Sequence, residues 1–282
     1  MASSPPKAFV LLIALSLIIA LWAGLKEVFT PAETHRLAQF HRLPLDPLAQ
    51  MPDFSHISHI PWRKEAFFDA LLPLVVEENR RLAWQRELVL TLQTLSPEER
   101  ETLSAQDQQL VAQLLQEYRL EWPNTALQWS RLLKRVDQIP MELVLMQAAN
   151  ESAWGTSRFA QEGNNLFGEW CFSVGCGLVP ERRQTGQRHE VRRFPSVQAS
   201  IQSYMRNLNS HRAYSQLRQI RAQRRAAGVE VSAQDLLPGL LSYSERGPAY
   251  IRELNAMLLV NQPLIDEALQ RYQALLEEES TL

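Results

Sequence analysis

Glu151 closes a run containing Leu143, Val144, Leu145, Met146, Ala148 and Ala149, and it is followed at once by Ser152, Trp154 and Gly155. A carboxyl group among apolar neighbours loses hydration in its charged form, so its pKa rises. The C-terminal end of a helix adds partial negative charge and pushes the same way. A side-chain acid still protonated near neutral pH can give its proton to a leaving oxygen, which is what breaking a glycosidic bond requires. The rival reading is an ordinary polar residue at a helix end that reaches water. Spacing alone leaves both open.

Other residue types with chemical potential give less. Cys171 and Cys176, the chain's two cysteines, flank a short Phe-Ser-Val-Gly stretch, and in an exported chain such a pair closes a small disulfide loop. A zinc site would need two more soft ligands, and no CxxC or HxxxH spacing offers them. No metal and no cofactor is expected. His35, His41, His56 and His59 are irregularly spaced among prolines and read as solvated linker residues.

These groups must be carried by a chain of 282 residues with a formal net charge of −2. That balance argues against a dedicated nucleic-acid binder, which needs a basic excess. The arginines are nevertheless concentrated: Arg182, Arg183, Arg188, Arg192, Arg193, Arg206, Arg212, Arg218, Arg221, Arg224 and Arg225 fall in one stretch. They are either a solvated helix face balanced by acids elsewhere, or a surface for an anionic polymer.

An uncharged apolar run at 8–25 lies between Lys7 and Lys26. At helical rise it spans about 27 Å, enough for a bilayer core. The flanking charge marks Lys7 as cytoplasmic, so residues 1–29 are expected to form an uncleaved single-pass inner-membrane anchor, with the rest exported to the periplasm. A cleaved signal peptide is the competing reading, against which bulky Leu21 and Trp22 count. Residues 30–63 hold Pro31, Pro44, Pro47, Pro52 and Pro61 and read as a tether or wrapping arm. Residues 64–131 form a helical lead-in, with apolar positions recurring at three and four and helix starts at Ser96 and Ser104. The segment 132–262 is the expected catalytic domain, with helices at 197–209, 212–227, 233–241 and 249–259 and a short hairpin after Cys176. A charged helix or tail fills 263–282.

The ordered set "AANESAWGTSRFAQEGNNLFGEW", supported by "WCFSVGCGLVP", "HEVRRFPS" and "NLNSHRAY", resembles the bacterial glucosaminidases of glycoside hydrolase family 73, which cut peptidoglycan. The resemblance covers roughly 132–259 and implies a mainly α, lysozyme-like domain with a small β-flap over a groove. It places Glu151 on the family's catalytic acid. Asn164 and Asn165 match its paired asparagines, whose amides could bond backbone or sugar N-acetyl groups. Trp154 and Phe167 match family aromatics, as substrate contacts or as core. "YSERGPAY" aligns Tyr243 with the active-site tyrosine and Tyr250 with a structural one, across an altered loop. A second carboxylate is expected on the flap, with Glu190 preferred over Glu181; a substrate N-acetyl nucleophile would need neither. The implied partner is the glycan strand of peptidoglycan, cut after N-acetylglucosamine. A lytic transglycosylase and a non-catalytic wall-binding module remain the alternatives, and no protein partner is indicated.

Overall fold

A computed structural model describes residues 48–181, 183 and 186–280. The expected anchor at 1–29, the tether up to residue 47 and Arg182 lie outside the described residues. Among the described residues no helix is long and apolar enough to cross a membrane.

Helix α1 (Ile60–Thr94) buries Phe67, Phe68, Leu71, Leu72 and Val75, then Leu82, Leu88, Val89 and Leu92. That stripe follows the helical repeat and faces the core. Pro73 lies inside it, and the carbonyl freed by its missing N–H belongs to Asp69, which is exposed and can be hydrated. Helix α2 (Pro97–Glu101) begins with a reciprocal Ser96–Glu99 capping box, and α3 (Ala105–Glu117) with Ser104 accepting from the Asp107 amide. Helix α4 (Ala126–Arg135) is capped by Thr125.

The next helix, α5 (Met141–Glu151), buries every side chain from Leu143 to Ala149. It can be apolar on all sides because α1 and the last helix, α10 (Pro248–Ser280), pack on it and on each other. The segment expected as a charged helix or tail continues α10. Ile265 and Ala268 are core residues, and Pro263 is tolerated on the exposed side, where Leu259 and Val260 also face water. The described end of the proline-rich segment is a wrapping arm: Met51 and Phe54 are buried, and the Leu48 carbonyl accepts from the Val197 amide at 2.9 Å.

Between α6 (Arg158–Gly163) and α7 (Val197–Ser210) lies a small sheet of β1 (Trp170–Cys171), β2 (Gly177–Leu178) and β3 (Glu190–Arg192). Its order is β1-β3-β2, both pairings antiparallel, with Cys171 opposite Glu190 and Leu178 opposite Val191. Gly177 is required there, since a Cβ would lie 2.0 Å from the Val191 carbonyl oxygen. A 3-10 turn at Arg212–Tyr214 leads to α8 (Ser215–Ala226), followed by α9 (Ala233–Leu236) and a second 3-10 turn, Leu237–Leu240. The described protein is mainly helical with one three-stranded flap, and a single apolar core runs from Met51 to Ala268.

Candidate active site

The last residue of α5 is Glu151, and its side chain is partly buried. Loss of hydration holds its carboxyl above the ordinary glutamate value, opposed by hydrogen bonds from Tyr250 and Asn150 and by the charge of Arg246. The Asn150 amide donates to Oε1 at 3.1 Å. Tyr250 belongs to a buried relay: Tyr204 donates its hydroxyl proton to Gln147 Oε1, and Gln147 Nε2 donates to the Tyr250 hydroxyl at 2.9 Å. Tyr250 in turn bonds the Glu151 carboxyl. Gln147 stands one helical turn before Glu151, so the relay and the acid share one face of α5.

The backbone after Glu151 is strained. Ala153, Trp154 and Gly155 have φ of 52°, 59° and 77°, a left-handed run that costs about 1 kcal/mol or more at each non-glycine position. Ser152 helps hold it, donating to the Ala148 carbonyl at 2.6 Å and accepting from the Gly155 amide at 2.8 Å. The Trp154 amide donates to the Ala149 carbonyl at 2.8 Å. This tight reversal stops α5 at Glu151 and turns the chain away from it. Gly155 is needed for space as well, because a Cβ would meet Met51 Cε at 2.6 Å.

Tyr243 stacks on Tyr250 with ring centroids 5.6 Å apart, but its hydroxyl donates to the Phe167 carbonyl at 3.0 Å. The tyrosine bonded to the acid is therefore Tyr250, with Tyr243 one ring removed. Phe167 is buried and stacks on Tyr204 at 3.9 Å, which makes it a support for the relay. Trp154 packs edge-on against Phe67 and Phe68, with Lys64 Nζ 4.7 Å above its ring, and so joins the turn to α1.

The paired asparagines do not present their amides to a ligand. Asn164, in left-handed conformation at the end of α6, accepts from the Met51 amide at 3.0 Å and donates to the carbonyls of Ala49 and Phe194. Asn165 donates to the carbonyls of Glu169 and Arg192 and accepts from the Glu169 amide at 3.0 Å. One fastens the wrapping arm and the other the base of the flap; their hydrogen-bonding capacity goes to backbone rather than to sugar.

In the flap, Cys171 and Cys176 are joined by a disulfide with Cα atoms 6.2 Å apart. Glu190 is buried beneath that loop, where its oxygens accept from the amides of Gly175 at 3.0 Å and Gly177 at 2.8 Å. These bonds hold its carboxyl below the usual range. The geometry gives it the part of a brace for the loop. Glu181 is exposed, 3.8 Å from Arg158.

Sequence reasoning missed Tyr204, Gln147 and Glu169. Glu169 follows the Asn-Asn-Leu-Phe-Gly motif directly. Burial raises its carboxyl pKa, one oxygen accepts from Ser203 Oγ at 2.9 Å, and the other is buried without a hydrogen-bond partner. Its charge and that of Glu151 both act on Tyr204, so two poorly solvated acids flank one aromatic cluster. A buried Gln four residues before a helix-terminal Glu was the signal available for the relay.

A helical body that holds a poorly solvated acid and carries a small β-flap fits a glycosidase, and the family comparison agrees. Residues 127–262 match the glucosaminidase family, described as mannosyl-glycoprotein endo-beta-N-acetylglucosaminidase. Over 222 residues the chain is 35% identical to protein Bax of Escherichia coli (strain K12), a match covering 77% of this chain and 76% of that protein. The chain belongs to the Bax-like family of glucosaminidase-domain proteins. No solved structure matches it.

Proposed function

We propose that the chain hydrolyses the glycan strands of peptidoglycan at the β-1,4 bond after N-acetylglucosamine, with Glu151 as general acid. The observation that carries this reading is the setting of Glu151: a partly buried carboxyl kept above its ordinary pKa at the end of an apolar helix and oriented by Tyr250. Glu151 protonates the leaving oxygen as its bond to C1 breaks. With Glu190 engaged by flap amides, the oxygen of the substrate's 2-acetamido group is the nucleophile that closes on C1. Water then opens the ring so formed, and Glu151 takes back a proton from it. Tyr250 and the relay behind it fix the carboxyl's position through both steps. The apolar run at 8–25 would tether the enzyme to the outer face of the inner membrane, beside its substrate.

The test is release of soluble fragments from purified sacculi. The wild-type protein should release them, and Glu151→Gln should lose the activity by three orders of magnitude or more while still binding sacculi. Fragment release by the variant at the wild-type rate would remove Glu151 from the mechanism.

A further inference from the structure

Four members of the arginine-rich stretch are spent on the fold. Arg221 and Arg225 lie against Asp137, Arg224 pairs with Asp235, and Arg218 donates to the carbonyls of Leu208 and His211. Three others differ. Arg192 and Arg193 on the flap and Arg206 on α7 converge on one groove of about 400 Å³, which Gln202 and Ser203 also line. Among the described residues none of these three forms an ion pair. Arg192 rests on the Phe194 ring at 5.7 Å, and Arg206 reaches no closer than 3.5 Å to Ser203 Oγ. The nearby Glu169 carboxylate bonds Ser203 and feels the charges of Arg192 and Arg206 without forming an ion pair with either, so it offsets only part of the positive charge. The groove is thus a concave, open site where positive charge is in excess.

We propose that this groove binds the carboxylates of the peptide chains attached to the glycan strand. The proposal rests on the glycan reading above and adds a second determinant of the substrate. Guanidinium forks match carboxylates in a two-bond geometry that ammonium groups cannot reproduce. The position suits such a substrate. Ser203, on the groove, is the chain neighbour of Tyr204, whose hydroxyl bonds Gln147 one turn before Glu151. The groove wall and the relay that ends at Glu151 are thus carried by adjacent residues of one helix, α7.

The experiment has two independent arms. In the first, calorimetry with a free tetrapeptide carrying side-chain and terminal carboxylates should show binding to the wild-type protein. Arg206→Gln should weaken it about tenfold, the scale of one charge-assisted hydrogen bond, and Arg192→Gln/Arg206→Gln further. Arg188→Gln removes an equal charge from the exposed flap outside the groove and should leave it unchanged. In the second arm, the rates of cutting peptide-bearing and peptide-stripped strands are compared. The wild-type ratio should favour peptide-bearing strands, and that ratio should collapse in Arg206→Gln. Absence of peptide binding, or an unchanged ratio in Arg206→Gln, overturns the proposal. Peptide binding without cutting of either strand overturns the glycan reading and leaves the groove assignment standing.

Discussion

Hydration decides the behaviour of Glu151. Because its folded-state pKa is raised, ionising it costs stability, so its destabilising effect is absent below the ordinary glutamate value, grows as pH rises from that value toward the raised one, and is complete above it. Glu151→Gln should therefore melt at a higher temperature than wild type at pH 7. The gap should close below about pH 4, where the glutamate is protonated in the unfolded chain too. Calorimetric scans at both pH values check this. Tyr250 bonds the charged form and so lowers the acid's pKa. Tyr250→Phe should then shift the alkaline limb of the kcat/KM profile to higher pH, besides reducing the rate through looser positioning. The setting of Glu151 was legible in the sequence, because six apolar or small neighbours announce a dry helix. The roles of Asn164 and Asn165 were not, since an amide that bonds backbone and one that bonds sugar look alike in one dimension.

At the level of elements, side chains tie the flap and the wrapping arm to the helical body. Asn164→Ala removes three hydrogen bonds to Met51, Ala49 and Phe194 and frees the arm. It should cost about 2–3 kcal/mol in urea unfolding and expose residues 48–54 to protease before the core unfolds. Replacing both Cys171 and Cys176 by serine removes the constraint on a very short loop, worth about 2 kcal/mol by loop entropy. Its effect should be local, seen as faster amide exchange at Gly175 and Gly177. Helix starts at Ser96 and Ser104 followed from local sequence, because a cap needs only its own next turn. The joining of 249–259 with the expected helix or tail into α10 did not. Pro263 reads as a terminator until its exposed side is known.

On the scale of the whole molecule, Asp137 is the electrostatic junction. Buried in the link between α4 and α5, it lies 3.4 Å from Arg86 of α1 and 3.6 Å from Arg221 of α8, and it is bonded by Arg225. Removing one partner leaves buried positive charge, so Asp137→Ala should cost about 3–5 kcal/mol and broaden the unfolding transition. This long-range convergence is invisible in sequence, where the same arginines suggest a surface for anions and only the folded chain separates those spent internally from those facing the groove. The claim that all these parts serve is that one poorly hydrated acid cuts glycan by hydrolysis. Mass spectrometry of the chain ends released from purified peptidoglycan tests it most directly. Reducing N-acetylglucosamine ends, present with wild type and absent with Glu151→Gln, are the predicted result; anhydro-muramyl ends, or equal release by both proteins, would contradict it.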